Sequence, residues 1–134
     1  FLHLNFSPMV TTEVAQLSKE CNAWRETLRS YRDEFTRLRS RLADLAARQT
    51  QKEVLLEVEH LDNQFHIQLV NIHDLKHAIK LHQRQLESEM AANNGTVPEK
   101  LISQHENLFD DYQQLEHTLH ELRQEFEHFS QVIH

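Results

Sequence analysis

From Val14 onward the apolar residues recur at alternating intervals of three and four: Val14, Leu17, Cys21, Trp24, Leu28, Tyr31, Phe35, Leu38, Leu42 and Leu45. This spacing holds one stripe of a 3.6-residue helix in a single direction. Sustained without a miss, it predicts a long helix with an a/d seam of coiled-coil type. Val10 occupies the preceding d position, and Ser7-Pro8 supplies a capping side chain followed by proline at the first helical position. The first helix is expected over about 8–47.

A second seam comprises Val54, Val58, Leu61, Phe65, Gln68, Ile72, Leu75, Ile79, His82 and Leu86. Leu45 and Val54 are both d positions, yet the interval between them is a heptad plus two. Coiled coils absorb insertions of three or four residues, not two. Thr50 followed by Glu53 also has the form of a capping box. A turn near Arg48–Thr50 and a second helix over 51–92 follow. One helix running through 8–92 is the alternative, because neither Gly nor Pro marks that turn. The next boundary is plainer, since Asn93-Asn94-Gly95-Thr96-Val97-Pro98 combines a glycine stop with a proline start. Beyond it Leu101, His105, Leu108, Tyr112, Leu115, Leu119, Leu122, Phe126, Phe129 and Ile133 form a third seam, on a helix expected over 98–134. Short connections make successive helices antiparallel. The expected fold class is all-α: an elongated antiparallel three-helix bundle with coiled-coil-like heptads. It forms a single domain over 1–134, with 1–7 as an N-terminal arm.

Composition narrows the function. Gly95, Pro8 and Pro98 are the whole supply of turn-forming Gly and Pro, too little for a β-rich fold or a glycine-cradled phosphate loop. A lone cysteine excludes an internal disulfide framework and any zinc site built on several thiolates. No apolar run approaches the ~20 residues of a membrane span. Mean hydropathy is -0.66, and no membrane partner is expected. A net charge of -7 argues against nucleic acid as a partner. The first helix is rich in arginine and the third in acids, which favours their packing side by side over pairing of like helices. The segment Phe1–Pro8 lacks the basic start and long apolar core of a secretory leader, so a cytoplasmic location is expected.

The second helix carries a further stripe opposite its seam, at Leu56, His60, Asn63, Ile67, Val70, Asp74, His77 and Leu81. An apolar stripe rimmed by polar groups marks an interface. Two copies crossing antiparallel near Ile67 and Val70 would be self-complementary about a twofold axis. A homodimer through Leu56, His60, Ile67, Val70, His77 and Leu81 is therefore expected. The alternative is that Phe1, Leu2, Leu4 and Phe6 fold back over the stripe.

Eleven histidines invite a search for metal and phosphate chemistry. His73-x-x-x-His77 and His105-x-x-x-x-Asp110 resemble two ligand motifs of the hemerythrins, di-iron four-helix proteins. The resemblance implies ligands facing a bundle core, whereas the heptad phase turns His73 and His77 outward. Glu57-x-x-His60 and Glu125-x-x-His128 have the spacing of carboxylate di-iron sites. They sit at flanking positions, however, level with Arg39 and Arg41, and cations there oppose a metal.

Cys21, His82 and His105 all lie on seams. Folding the chain about both turns brings them within roughly 10 Å along the axis at 1.5 Å per residue, so they are candidate ligands for Zn²⁺. The expected reading is nonetheless that they are packed core residues that fix register, with metal binding as the alternative. His73-Asp74-Leu75-Lys76-His77 resembles the phosphoacceptor box of sensor histidine kinases, which implies His73 as nucleophile and Asp74 as the base that orients it. Neither Gly-x-Ser-x-Gly nor a Walker loop is present, and a seam position makes Cys21 a poor nucleophile.

The function expected from the sequence is non-enzymatic: a scaffold or interaction protein that associates in coiled-coil fashion, with no cofactor and a possible protein partner. The alternatives are a histidine phosphoacceptor module and a metal-binding bundle.

Overall fold

The computed structural model describes residues 7–92 and 97–133, which form three α-helices: α1 Ser7–Ala46, α2 Lys52–Ala92 and α3 Glu99–Ile133. No strand occurs among the described residues. The chain is all-α and folds as a three-helix bundle, with helix ends within a residue or two of those the heptads predict. Of the proposed arm (residues 1–7), Ser7 belongs to α1 instead, and residues 1–6, like the Gly95 turn (residues 93–96), lie outside the described residues.

The break between α1 and α2 is real, and the single helix through 8–92 is not formed. The chain ends α1 without glycine by tightening its last turn. Ala47 N–H still bonds Ala43 C=O at 3.1 Å, but Arg48 N–H reaches Leu45 C=O at 3.2 Å and Gln49 N–H reaches Ala46 C=O at 3.0 Å. The side-chain amide of Gln49 adds a bond to the Leu45 carbonyl at 3.3 Å. These contacts satisfy carbonyls that a helix end otherwise leaves open. The first bond of α2 runs from Leu55 N–H to Gln51 C=O at 3.0 Å, so the helix starts one residue later than a cap at Thr50 implies. At α3 the Pro98 carbonyl accepts from Leu101 and Ile102 at 2.9 and 3.2 Å.

The bundle divides into two compact units, each built from all three helices. One, the phenylalanine unit, comprises Arg29–His73 and the described residues from Gln113 on. The other, the cysteine–histidine unit, comprises the described residues up to Leu28 with those of Asp74–Tyr112.

In the phenylalanine unit Phe35, Leu42, Leu61, Phe65, Ile72, Leu119 and Phe126 are all but inaccessible. Each helix contributes one phenylalanine to this inaccessible set, and Phe65 joins the other two. Its ring centroid lies 5.9 Å from Phe35 and 5.7 Å from Phe126, the latter edge-to-face. Such tilted pairs align ring edges with ring faces and add to the stabilisation from burial. Arg123 donates two hydrogen bonds to Glu34, at 2.6 and 2.7 Å, with its guanidinium over the rings of Tyr31 and Phe35. This fork–carboxylate pair between α1 and α3 reverses the expected polarity, because the cation comes from the acidic helix and the acid from the basic one. Arg41 and Glu127 follow the expected sense, but at 3.9 Å and half exposed. Local geometry therefore outweighs net helix charge.

In the cysteine–histidine unit Val14, Cys21, Leu28, Ile79 and Leu86 are buried beside polar side chains: His82, Gln83 and His105. Gln83 lies one position off the seam, and every polar atom of its amide is used. Its nitrogen donates to Ser18 Oγ at 3.2 Å and Asn22 Oδ1 at 3.1 Å, and its oxygen accepts from Arg25 at 3.0 Å. Trp24 packs against α3, its ring 4.7 Å from His105 and 5.8 Å from Tyr112.

Candidate metal centre and the outer face of the second helix

The seam places one residue from each helix in a single core layer of the cysteine–histidine unit: Cys21 from α1, His82 from α2 and His105 from α3. All three are buried, at 0%, 4% and 5% exposure. His105 Nδ1 lies 3.9 Å from Cys21 Sγ and 3.1 Å from His82 Nε2. One ligand-type atom from each residue falls within 4.8 Å of the other two. The structure thus brings together the three seam residues that the sequence singled out as candidate ligands.

A fourth residue, which the sequence reading missed, orders this layer. Glu20 Oε1 lies 2.8 Å from His105 Nε2 and is partly exposed while the imidazole is not. A carboxylate only accepts hydrogen bonds, so Nε2 carries a proton, and in the neutral ring Nδ1 keeps its lone pair. With both rings neutral, the bond between the two histidines is His82 Nε2–H donating to His105 Nδ1, which leaves His82 Nδ1 without a proton. That atom is buried and has no hydrogen-bond partner. The Gln104 amide stands near enough to His82 to favour its charged form, but without a hydrogen bond of ordinary geometry to Nδ1. Burial, and secondarily the neighbouring His105, hold His82 below the usual histidine value.

Cys21, His105 and Glu20 stand in the order nucleophile, base and orienting carboxylate, yet the thiol is not activated. Burial, with Glu20 next in weight, pushes it up to about 12, and it has no exposed surface. A reactive cysteine needs the opposite shift and solvent access. Beside this layer a groove of about 470 Å³ opens between α1 and α3, lined by Leu17, Glu20, Trp24, Ile102, His105 and Phe109 among others. Phe109, off the seam and 40% exposed, stacks on Trp24 at 5.6 Å.

The remaining candidates fare differently. His73, His77 and Asp110 are exposed, whereas His105 faces the core, so the four residues that resemble hemerythrin ligands do not share one environment. Asp74 is exposed like His73, its neighbour in the sequence. In the phenylalanine unit Glu57, His60 and Glu125 do converge, with ligand atoms within 4.8 Å of one another. His60 Nε2 lies 3.2 Å from Glu125 Oε2, both side chains about half exposed. His128 is exposed, and the nearby cations are engaged elsewhere, Arg39 with Asp62 at 2.7 Å and Arg41 with Glu127. A half-exposed hydrogen bond between His60 and Glu125 accounts for their part of this cluster.

The stripe on α2 faces outward as its phase predicts. In the phenylalanine unit Leu56 is 56% exposed, Ile67 39% and Val70 43%, with His60 and Asn63 exposed among them. In the other unit Leu81 and His77 are exposed. None of the described helices is long and apolar enough to cross a membrane.

Comparison with protein-family models, with curated proteins and with solved structures yields no match. The class the structure itself defines is an all-α three-helix bundle with a buried cysteine–histidine layer.

Proposed function

We propose that the protein is a non-enzymatic interaction module, cytoplasmic and homodimeric, whose second helix provides the association surface in coiled-coil fashion. The supporting observation is the exposure of Ile67 and Val70, with Leu56 nearby, on the face of α2 opposite the packed seam. Three exposed aliphatics on one helical face cost solubility unless they are covered. A second copy suits the occupant, because antiparallel crossing sets Ile67 of one chain against Val70 of the other and repeats the contact by symmetry.

Sedimentation equilibrium of the parent beside Ile67→Glu/Val70→Glu tests this reading. The parent is expected at twice the chain mass and the variant at the single-chain mass, with unchanged helicity. A parent at single-chain mass, or a variant that keeps the doubled mass, overturns the proposal.

A further inference from the structure

We propose that Cys21, His82 and His105 form a binding site for a divalent transition metal, Zn²⁺ above all, with Glu20 orienting His105 from outside the coordination shell. The proposal is independent of any association through α2.

Distances carry the first part of the argument. Tetrahedral Zn²⁺ with bonds of ~2.0–2.1 Å to nitrogen and ~2.3 Å to sulfur holds its ligand atoms about 3.3 Å (N···N) and 3.6 Å (S···N) apart. The layer offers 3.1 Å between His82 Nε2 and His105 Nδ1, and 3.9 Å between His105 Nδ1 and Cys21 Sγ. Small side-chain rotations convert one set into the other. Each ligand also comes from a different helix, so backbone packing fixes the convergence of the trio.

Hydrogen bonding carries the second part. Metal-binding histidines hold their other ring nitrogen on a carboxylate, which sets the tautomer and the ring plane. His105 already does this, with Nε2–H on Glu20 and the lone pair of Nδ1 turned inward. The orphaned Nδ1 of His82 has its explanation here as well. A buried acceptor without a partner is costly, and native structures rarely keep one without reason. Once His82 Nε2 binds a metal, the ring proton resides on Nδ1 instead, and the Gln104 side chain favours the protonated form of this ring.

The charge balance closes too. Binding breaks the Cys21 S–H bond, the sulfur pair goes to the metal and the proton leaves to buffer. Thiolate plus the Glu20 carboxylate then oppose the two positive charges. A mixed sulfur–imidazole set suits Zn²⁺ over Mg²⁺ or Ca²⁺, which take oxygen ligands. Three protein ligands leave the fourth tetrahedral position open.

The test uses the full chain without a histidine tag, titrated with Co²⁺ and then with Zn²⁺. One Co²⁺ per chain is expected, with a thiolate-to-cobalt charge-transfer band and the intense visible absorption of a tetrahedral site, both removed by one equivalent of Zn²⁺. Cys21→Ser should abolish the charge-transfer band. His82→Gln and His105→Gln should each weaken binding at least tenfold, and Glu20→Gln should weaken it 10- to 100-fold while keeping the band. His60→Gln should leave all of this unchanged. Because core variants can lose structure, circular dichroism accompanies each. Long-range ¹H–¹⁵N spectra of the parent supply a readout without mutation, since Zn²⁺ should shift His82 Nε2 and His105 Nδ1 and leave the exposed imidazoles in place. A parent without the band at one equivalent, shifts confined to exposed histidines, or binding that only His60→Gln removes would overturn the site.

Discussion

Phe35, Phe65 and Phe126 enter one core layer from α1, α2 and α3, and in the other unit Cys21, His82 and His105 do the same. The construction is shared: a seam residue from each helix, buried to within a few per cent. The filling is opposite. Aromatic rings need no partner and stabilise by area and by ring-to-ring geometry. Imidazoles and a thiol need partners for every polar atom, and the layer recruits Glu20 yet still leaves His82 Nδ1 without one. Heptad spacing thus decides that three residues meet, and chemistry alone decides whether the meeting stabilises the bundle. A core that breaks the apolar rule at one layer concedes stability there, which is the usual mark of a functional position.

The comparison breaks most readily at Phe65. Phe65→Ala removes the ring that links the other two in a layer with no exposed surface, and should cost about 3–5 kcal/mol in urea unfolding. A loss below about 1 kcal/mol would mean that the aromatic layer is not what holds its unit. The converse experiment fills the polar layer. His82→Leu combined with His105→Leu removes a hydrogen-bonded pair and an unsatisfied acceptor together. It should therefore raise the stability of the metal-free protein by about 1–2 kcal/mol. Destabilisation by that double change would show the histidine layer to be a net structural asset.

The smallest effect lies at the surface of the phenylalanine unit. The Arg39 guanidinium, hydrogen-bonded to Asp62, holds that carboxyl below its ordinary value. A depressed folded value means that the contribution is present above pH 3.8 and is lost as pH falls through the folded value. Both side chains are more than a third exposed, so solvent screening limits the loss to a few tenths of a kcal/mol. Acid titration of the parent against Asp62→Asn should show a difference no larger than that. A gap well above 1 kcal/mol would move the pair from surface decoration to a main support of its unit.

Much of this was legible in the sequence because a heptad seam is a one-dimensional record of burial. Almost every seam residue from Val14 to Ile133 is buried or half-buried, and a rise of 1.5 Å per residue sufficed to bring Cys21, His82 and His105 to one level. What the seam does not record is side-chain reach. Gln83 lies beside it and is buried because a flexible amide finds Ser18, Asn22 and Arg25 at once. Glu20 flanks the layer and fixes the tautomer of His105 across the α1–α3 contact, a choice invisible to spacing. Arg123 meets Glu34 against the net charges of their helices, because a fork and a carboxylate at matched heights outweigh a sum over exposed groups. The tightened end of α1 left no residue-type signal either, since its turn is closed by backbone bonds and Gln49.

The depth of Cys21 gives the chain an internal clock. It is the only thiol, it has no exposed surface, and its ionisation is pushed to about 12. In the metal-free protein an alkylating reagent meets a thiolate only in molecules whose cysteine–histidine layer has come apart. The labelling rate therefore counts the openings, local or global, that expose Cys21.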